Sequence, residues 1–187
     1  MESLQKLFTL CENELTALGM SINEKKTVCM RIGARFNNCC VNIVTSACKE
    51  LSWVNEIRYL GVYITSFVRF KCNFDSNKKA FFLSFNSVYG RGGGKPEEII
   101  LFLIQSKCMP VLLYGIDVCP ATVHQIRSLE FTVNRILIKV FKTVSFEFIN
   151  ECLFYFRFQS VISRINRRKF SFLNKLTALN DNYICAL

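Results

Sequence analysis

The chain predicts an α+β fold, a small antiparallel sheet followed by an all-α helical region, on three observations. Residues 2–19 carry Leu4, Leu7, Phe8, Cys11, Leu15 and Leu18 at steps of three and four, the mark of one helix face. Between Thr27 and Thr65 the pattern turns to short β-branched and aromatic runs separated by polar turns. From Asp75 onward it is helical again, so residues 1–65 read as a sheet with a helix on one face and the remainder as a bundle.

Taken in order, Gly19 is placed to end the first helix. Asn23 to Lys26 form a polar, basic turn, and Thr27 to Ile32 and Val41 to Val44 read as short strands. The stretch Leu51 to Thr65 reads as two strands about a turn at Asn55 and Glu56. Gly61 then breaks the second strand at its centre, which implies a close backbone approach and makes Gly61 a contact surface. Residues 75–89 form a helix with Asp75 or Ser76 as N-cap, and GRGGGKP breaks it. Pro96, Glu97 and Glu98 open the next helix, expected to stop before Pro110. A long helix follows from Thr122 to Lys142, buried through Ile126, Leu129, Val133, Ile136, Leu137 and Val140. The last periodic stretch is Val161 to Leu179, with Arg164, Arg167, Arg168, Lys169 and Lys175.

The balance of 24 Lys and Arg against 14 Asp and Glu, net +10, points to a polyanion as partner. On the long helices the cations alternate with aromatic residues, which suits nucleic-acid contact and equally suits an amphipathic helix packed on protein. Ten cysteines without regular spacing, and a start without an apolar signal core, read as reduced thiols of an intracellular protein, in nucleus or cytoplasm. The most apolar window, Ile99 to Val118, is interrupted by Gln105, Lys107, Pro110 and Asp117, so no membrane partner is expected.

Self-contained chemistry is hard to find. The glycine-rich loop fails as a P-loop, because Tyr89 stands where the first glycine is needed and Pro96 replaces the magnesium-binding hydroxyl. An interhelical hinge whose Arg91 and Lys95 touch a phosphate backbone fits better. Asp75, Asp117 and Asp181 lie far apart, Glu97 and Glu98 suit a helix start, and His124 lacks a nucleophile at motif spacing. A zinc site would need scattered thiolates, and no metal site is expected.

Three stretches in this order resemble the C-terminal half of the reverse transcriptase of non-LTR (LINE-type) retrotransposons. They are LGMSINEKKT at 18–27, EIRYLGVYI at 56–64, and the helical block running from KKAFFLSFNSVYGR at 78–91 through LIQSKCMPVLLYG at 103–115 to VNRILIKVFKT at 133–143. The resemblance implies the end of a palm over residues 1–70 with a primer-grip hairpin, a thumb-like helical region over 71–145, and a C-terminal helical extension over 146–187. It implies that Lys26, with Lys25 beside it, donates a proton to the leaving pyrophosphate in a complete enzyme. Tyr59, Leu60 and Gly61 would hold the primer end, while Lys25, Arg91, Lys95, Arg135 and Lys139 would follow the backbone of an RNA–DNA template–primer duplex without reading sequence.

In that family the metal-binding Asp pair would lie just before Met1. Magnesium belongs to the complete parent enzyme, no cofactor is expected in this chain, and the missing palm and fingers become an implied partner. The chain by itself is expected to be a fragment that contacts nucleic acid without polymerising. The contrasting reading is a basic helical protein-interaction module.

Overall fold

Short β-hairpins and long helices segregate along the chain, and the computed structural model describes residues 2–92 and 96–183. The protein divides into two compact units, Met1–Lys71 and Cys72–Leu187.

The first unit opens with α1 (Glu2–Ala17). Gly19 at φ 72° ends it: the Gly19 N–H bonds the Thr16 carbonyl and the Met20 N–H the Leu15 carbonyl, the paired closure that only a left-handed residue permits. α1 docks on the strand pair β1 (Ile43–Val44) and β2 (Glu50–Leu51) through polar side chains. Gln5 exchanges two hydrogen bonds with the Val44 backbone, at 2.8 and 3.0 Å, and the Glu12 carboxylate accepts from Ser46 N–H and Oγ, both at 2.9 Å. The apolar stripe expected to be the buried face is largely outside: Leu4, Leu7, Cys11 and Leu18 are exposed, because a sheet two residues deep is too small to cover it. Ile43, Thr45 and Leu51 are the buried residues described in this unit.

Two further expectations for this unit are corrected. Thr27 to Ile32 does not form a strand; it makes one parallel bridge, Cys29 with Trp53, and its neighbours are held singly by Ser66 Oγ donating to the Arg31 carbonyl and Gly33 N–H donating to that of Phe67. The turn of the central hairpin lies at Leu60 and Gly61 rather than at Asn55 and Glu56. β3 (Glu56–Tyr59) and β4 (Val62–Thr65) pair antiparallel with Tyr59 opposite Val62. Leu60 and Gly61 both have positive φ, 47° and 81°, the two-residue turn whose twist matches that of the strands. Gly61 therefore lies in the turn and not at the centre of a strand, and its left-handed backbone favours glycine there. The sheet's third strand, β5 (Lys71–Asn73), opens at Lys71, whose carbonyl accepts from Thr65 Oγ1 at 3.3 Å.

The second unit is helical and holds most of the core. α2 (Asp75–Gly92) begins where the Asn73 side chain accepts from the Asp75 N–H at 2.9 Å. Its buried face is Phe81 and Phe85. α3 (Glu97–Leu103) follows Pro96 and ends before Pro110, as expected, but the helical path does not stop with it. A π-helical turn, Ile104–Cys108, joins it without a break to α4 (Met109–Leu112). In an α-helix Pro110 would press on the Ser106 carbonyl and leave it unpaired; in the π turn Met109 N–H bonds Ile104, five residues back, and the ladder shifts past the proline. Ile104, Cys108, Met109 and Leu112 are 0–1% exposed, so this shifted segment is the centre of the unit.

Around it, Asn77 on α2 donates to the carbonyls of Leu112 and Tyr114, at 3.3 and 2.9 Å, closing the end of α4. α5 (Val123–Phe141) begins with a capping box, Thr122 and Gln125 bonding each other's backbone N–H, and Gln125 Nε2 also donates to the Cys72 carbonyl at 2.8 Å. It ends at Lys142, at φ 52°. α6 (Phe146–Tyr155) is capped by Ser145, and α7 (Val161–Tyr183) closes the described chain. Arg168 on α7 holds Asp117 with two hydrogen bonds, 3.1 and 3.2 Å, and Arg164 donates to Gln105 Oε1 at 2.9 Å, so two of the five cations noted in this stretch serve to dock the helix. Burial lowers the Arg164 pKa, and the nearby Arg167 charge adds to that.

No described helix is long and apolar enough to cross a membrane. Cys72 and Cys119 are buried beside each other in this unit, and burial first, then the hydrogen bond and charge of Cys119, push the Cys72 thiol up to about 12. Since the unfolded thiol titrates near its ordinary 9.0, the stability that a neutral Cys72 supplies is complete below that pH and is lost as pH rises toward about 12. Urea midpoints measured across that interval should fall with pH, and the fall should be shallower in Cys72→Ala; an unchanged slope would contradict this assignment.

Candidate nucleic-acid interface

The basic turn is built from its asparagine. Asn23 accepts through its carbonyl from the N–H groups of Lys26 and Thr27, at 3.0 and 2.9 Å, and from Thr27 Oγ1, while its side-chain oxygen accepts from Lys26 N–H at 3.2 Å. Glu24 turns toward β2, where it pairs with Lys49 and accepts from Thr45 Oγ1 at 3.4 Å. That leaves Lys25 and Lys26 exposed, with no carboxylate at ion-pair distance among the described residues. In the same unit the hairpin tip carries Tyr59 and Leu60, 61% and 75% exposed, and is stiffened by Arg58, whose guanidinium lies 5.8 Å from the Tyr63 ring across the strand pair.

The helical unit offers a longer feature. At 100° per residue, His124, Arg127, Phe131, Arg135 and Lys139 fall within an arc of about 120° along α5, over roughly 22 Å of helix, and Lys142 follows them as its left-handed cap. All six are exposed or half-buried, Phe131 being 63% exposed, and Glu130, the acid of this helix, lies outside the arc. Two of the cations are fixed in place by α2: Arg135 lies 6.0 Å from the Phe82 ring, and Lys139 lies 5.7 and 5.1 Å from the rings of Phe85 and Tyr89. Tyr89 donates its hydroxyl to the Lys139 carbonyl at 3.5 Å. Aromatic faces order the cations without cancelling their charge, which a carboxylate would do. The charge of this stripe therefore stays available to an external anion.

Of the residues singled out in the sequence, Arg135 and Lys139 come together on α5. Arg91 is in the last turn of α2 and not in a hinge, on the side of that helix opposite Phe82, and Lys95 lies outside the described residues. Arg127 and Lys142, which the sequence places among the polar positions of this helix beside Arg135 and Lys139, join them: Arg127 is four residues before Phe131, and Lys142 is three and seven residues after Lys139 and Arg135. His124 sits at the start of the same stripe, exposed in the first turn of α5. Asp75 is paired with Lys78 at 2.9 Å and Asp117 with Arg168, and among the described residues no group of three His, Cys, Asp or Glu is placed to hold a metal ion. The carboxylates described here do not fit a magnesium site.

No protein-family model and no solved structure matches the chain. It is 24% identical over 117 residues to the "Retrovirus-related Pol polyprotein from type-1 retrotransposable element R1 3" of Nasonia vitripennis, a match that covers 59% of this chain and 30% of that relative. The chain is thus distantly similar to a retrotransposon Pol polyprotein and spans less than a third of its length.

Leucine at φ 47° in the hairpin turn is an expensive choice at an exposed position, one that asparagine or glycine fills more readily. Leu60→Asn is expected to stabilise the protein by about 0.5–1 kcal/mol and Gly61→Ala to destabilise it by about 1 kcal/mol. Denaturant titration of both variants checks this; a Leu60→Asn midpoint below that of the unchanged protein would contradict the turn assignment.

Proposed function

We propose that this chain is part of the reverse transcriptase of a non-LTR retrotransposon, and that it follows the backbone of an RNA–DNA template–primer duplex. The observation that carries the reading is the α5 stripe, whose cations are held on aromatic rings and left without carboxylates. The similarity to a Pol polyprotein and the ordered motifs at 18–27, 56–64 and 78–143 support it.

On this reading residues 1–70 are the end of the palm, 71–145 the thumb and 146–187 a helical extension. Lys26, exposed on a turn pinned by Asn23, is the proton donor to pyrophosphate in the complete enzyme, with Lys25 beside it on the backbone. Tyr59, Leu60 and Gly61 form the primer grip. Its exposed tip, held by a turn of fixed twist, presents side chains and backbone to a strand end. Arg135 and Lys139 lead the backbone contacts of the thumb, with Arg91 on a separate face of α2. Asp75, Asp117 and Asp181 are far apart along the sequence, and on this reading the polymerase chemistry belongs to a fuller enzyme.

A helical interaction module is the second reading. It is favoured by the exposed Phe170, Phe172, Leu173 and Leu176 on α7. Salt separates the two, since phosphate contacts release counterions and apolar docking does not. Affinity of the full chain for an RNA–DNA duplex should fall steeply as salt rises. Replacing Arg127, Arg135, Lys139 and Lys142 by Gln should reduce the log–log slope by about 2–4, while Arg167→Gln with Lys175→Gln leaves it nearly unchanged. A slope indifferent to the α5 substitutions would remove the stripe from the interface.

A further inference from the structure

A cleft of about 370 Å³ opens in the first unit, sharing no residue with the basic turn or the hairpin tip, and lined by Arg31, Phe36, Asn37, Asn38, Trp53 and Asn55 among others. Its size lies within the range of small-ligand sites. The indole is fixed: Trp53 donates Nε1–H to the Val41 carbonyl at 3.3 Å, and the Arg31 guanidinium lies 5.7 Å from the ring centroid. Phe36 is held by Phe67, ring centroids 5.5 Å apart.

Arg31 has no carboxylate partner among the described residues. It spends only Nη1 on the protein, donating to the carbonyls of Arg35 at 3.1 Å and Asn38 at 3.3 Å. Its Nε and Nη2 hydrogens therefore have no acceptor among the described residues. The carboxamides of Asn37, Asn38 and Asn55 likewise make no hydrogen bond among the described residues, and no Asp or Glu lines the cleft.

We propose that this cleft binds a nucleotide, as a free nucleoside monophosphate or as an unpaired residue of a single strand. Each property of the lining answers one part of that ligand. Aromatic faces suit a planar base, and unpaired carboxamides suit the mixed donors and acceptors of its edge. An uncompensated guanidinium suits the phosphate. An uncharged aromatic ligand would leave the Arg31 charge unanswered, and a bare anion would leave the carboxamides and rings unused. The cleft shares no residue with the α5 stripe, so duplex binding and nucleotide binding can be tested by separate substitutions.

Trp53 is the one tryptophan of the chain, so its fluorescence reports on this cleft alone. The full chain is titrated with AMP, GMP, CMP and UMP, with inorganic phosphate, with adenosine, and with a short single-stranded RNA. Saturable quenching by at least one monophosphate is expected, with Kd about 0.1–1 mM, and weaker response by about tenfold to phosphate and to adenosine. Asn37→Asp, which adds a carboxylate at an exposed position of similar shape, should weaken monophosphate binding about tenfold while far-UV circular dichroism is unchanged. Tighter binding of the RNA than of the monophosphate assigns the cleft to strand recognition, and equal binding assigns it to the free nucleotide. Linear quenching without saturation, an equal response to phosphate alone, or indifference to Asn37→Asp would overturn the proposal.

Discussion

The passage of a helix through Pro110 is the constraint on which the helical unit depends. A proline at this point should end a helix, and a chain that stopped there would lose the buried run from Ile104 to Leu112. The π turn shifts the hydrogen-bond ladder by one residue and keeps the segment continuous. Because that segment is buried, the helices around it take their positions from it: α2 packs on the π turn and α4, and α5 packs on α2 and α3. Asn77 and Arg164 bond directly to its end and its start, and Arg168 to the turn that follows.

The arrangement of charge follows from this packing. Where a cation meets a polar partner inside the unit, as Arg168 meets Asp117, it becomes part of the scaffold. Where it meets an aromatic face, as Arg135 and Lys139 do on α2, it is positioned but keeps its field. The alternation of basic and aromatic residues in the sequence thus serves two purposes on different helices. The proposed duplex contact uses the second kind, and the proposed nucleotide cleft repeats the device with Arg31 over Trp53.

Much of the fold was legible because it rests on local signals. The periodicity from Leu129 to Val140 placed α5, and Gly19 marked the end of α1 by the φ it alone tolerates cheaply. What periodicity missed depends on contacts between elements. The apolar stripe of α1 is real, but Gln5 and Glu12 decide how the helix docks. Gly61 stands out in the sequence, yet an Asn-Glu pair looks a better turn than Leu-Gly, since leucine is rarely left-handed. Pro110 signalled a break that a π turn absorbs, an outcome visible only with the hydrogen-bond ladder. At the candidate site, Arg135 and Lys139 were found from the sequence motifs, whereas the stripe they share with Arg127 and Lys142 required the helical phase. The nucleotide cleft joins residues up to 35 positions apart, from Arg31 to Ser66, and had no local signature.

The central claim is that the α5 face follows a nucleic-acid backbone, and lysine footprinting of the full chain tests it most directly. Acylation of exposed lysines is compared by mass spectrometry with and without an RNA–DNA duplex at low salt. Lys139 and Lys142 should be protected by the duplex and re-exposed at high salt, with Lys175 little changed. Protection absent from both α5 lysines while the duplex is bound would contradict the account.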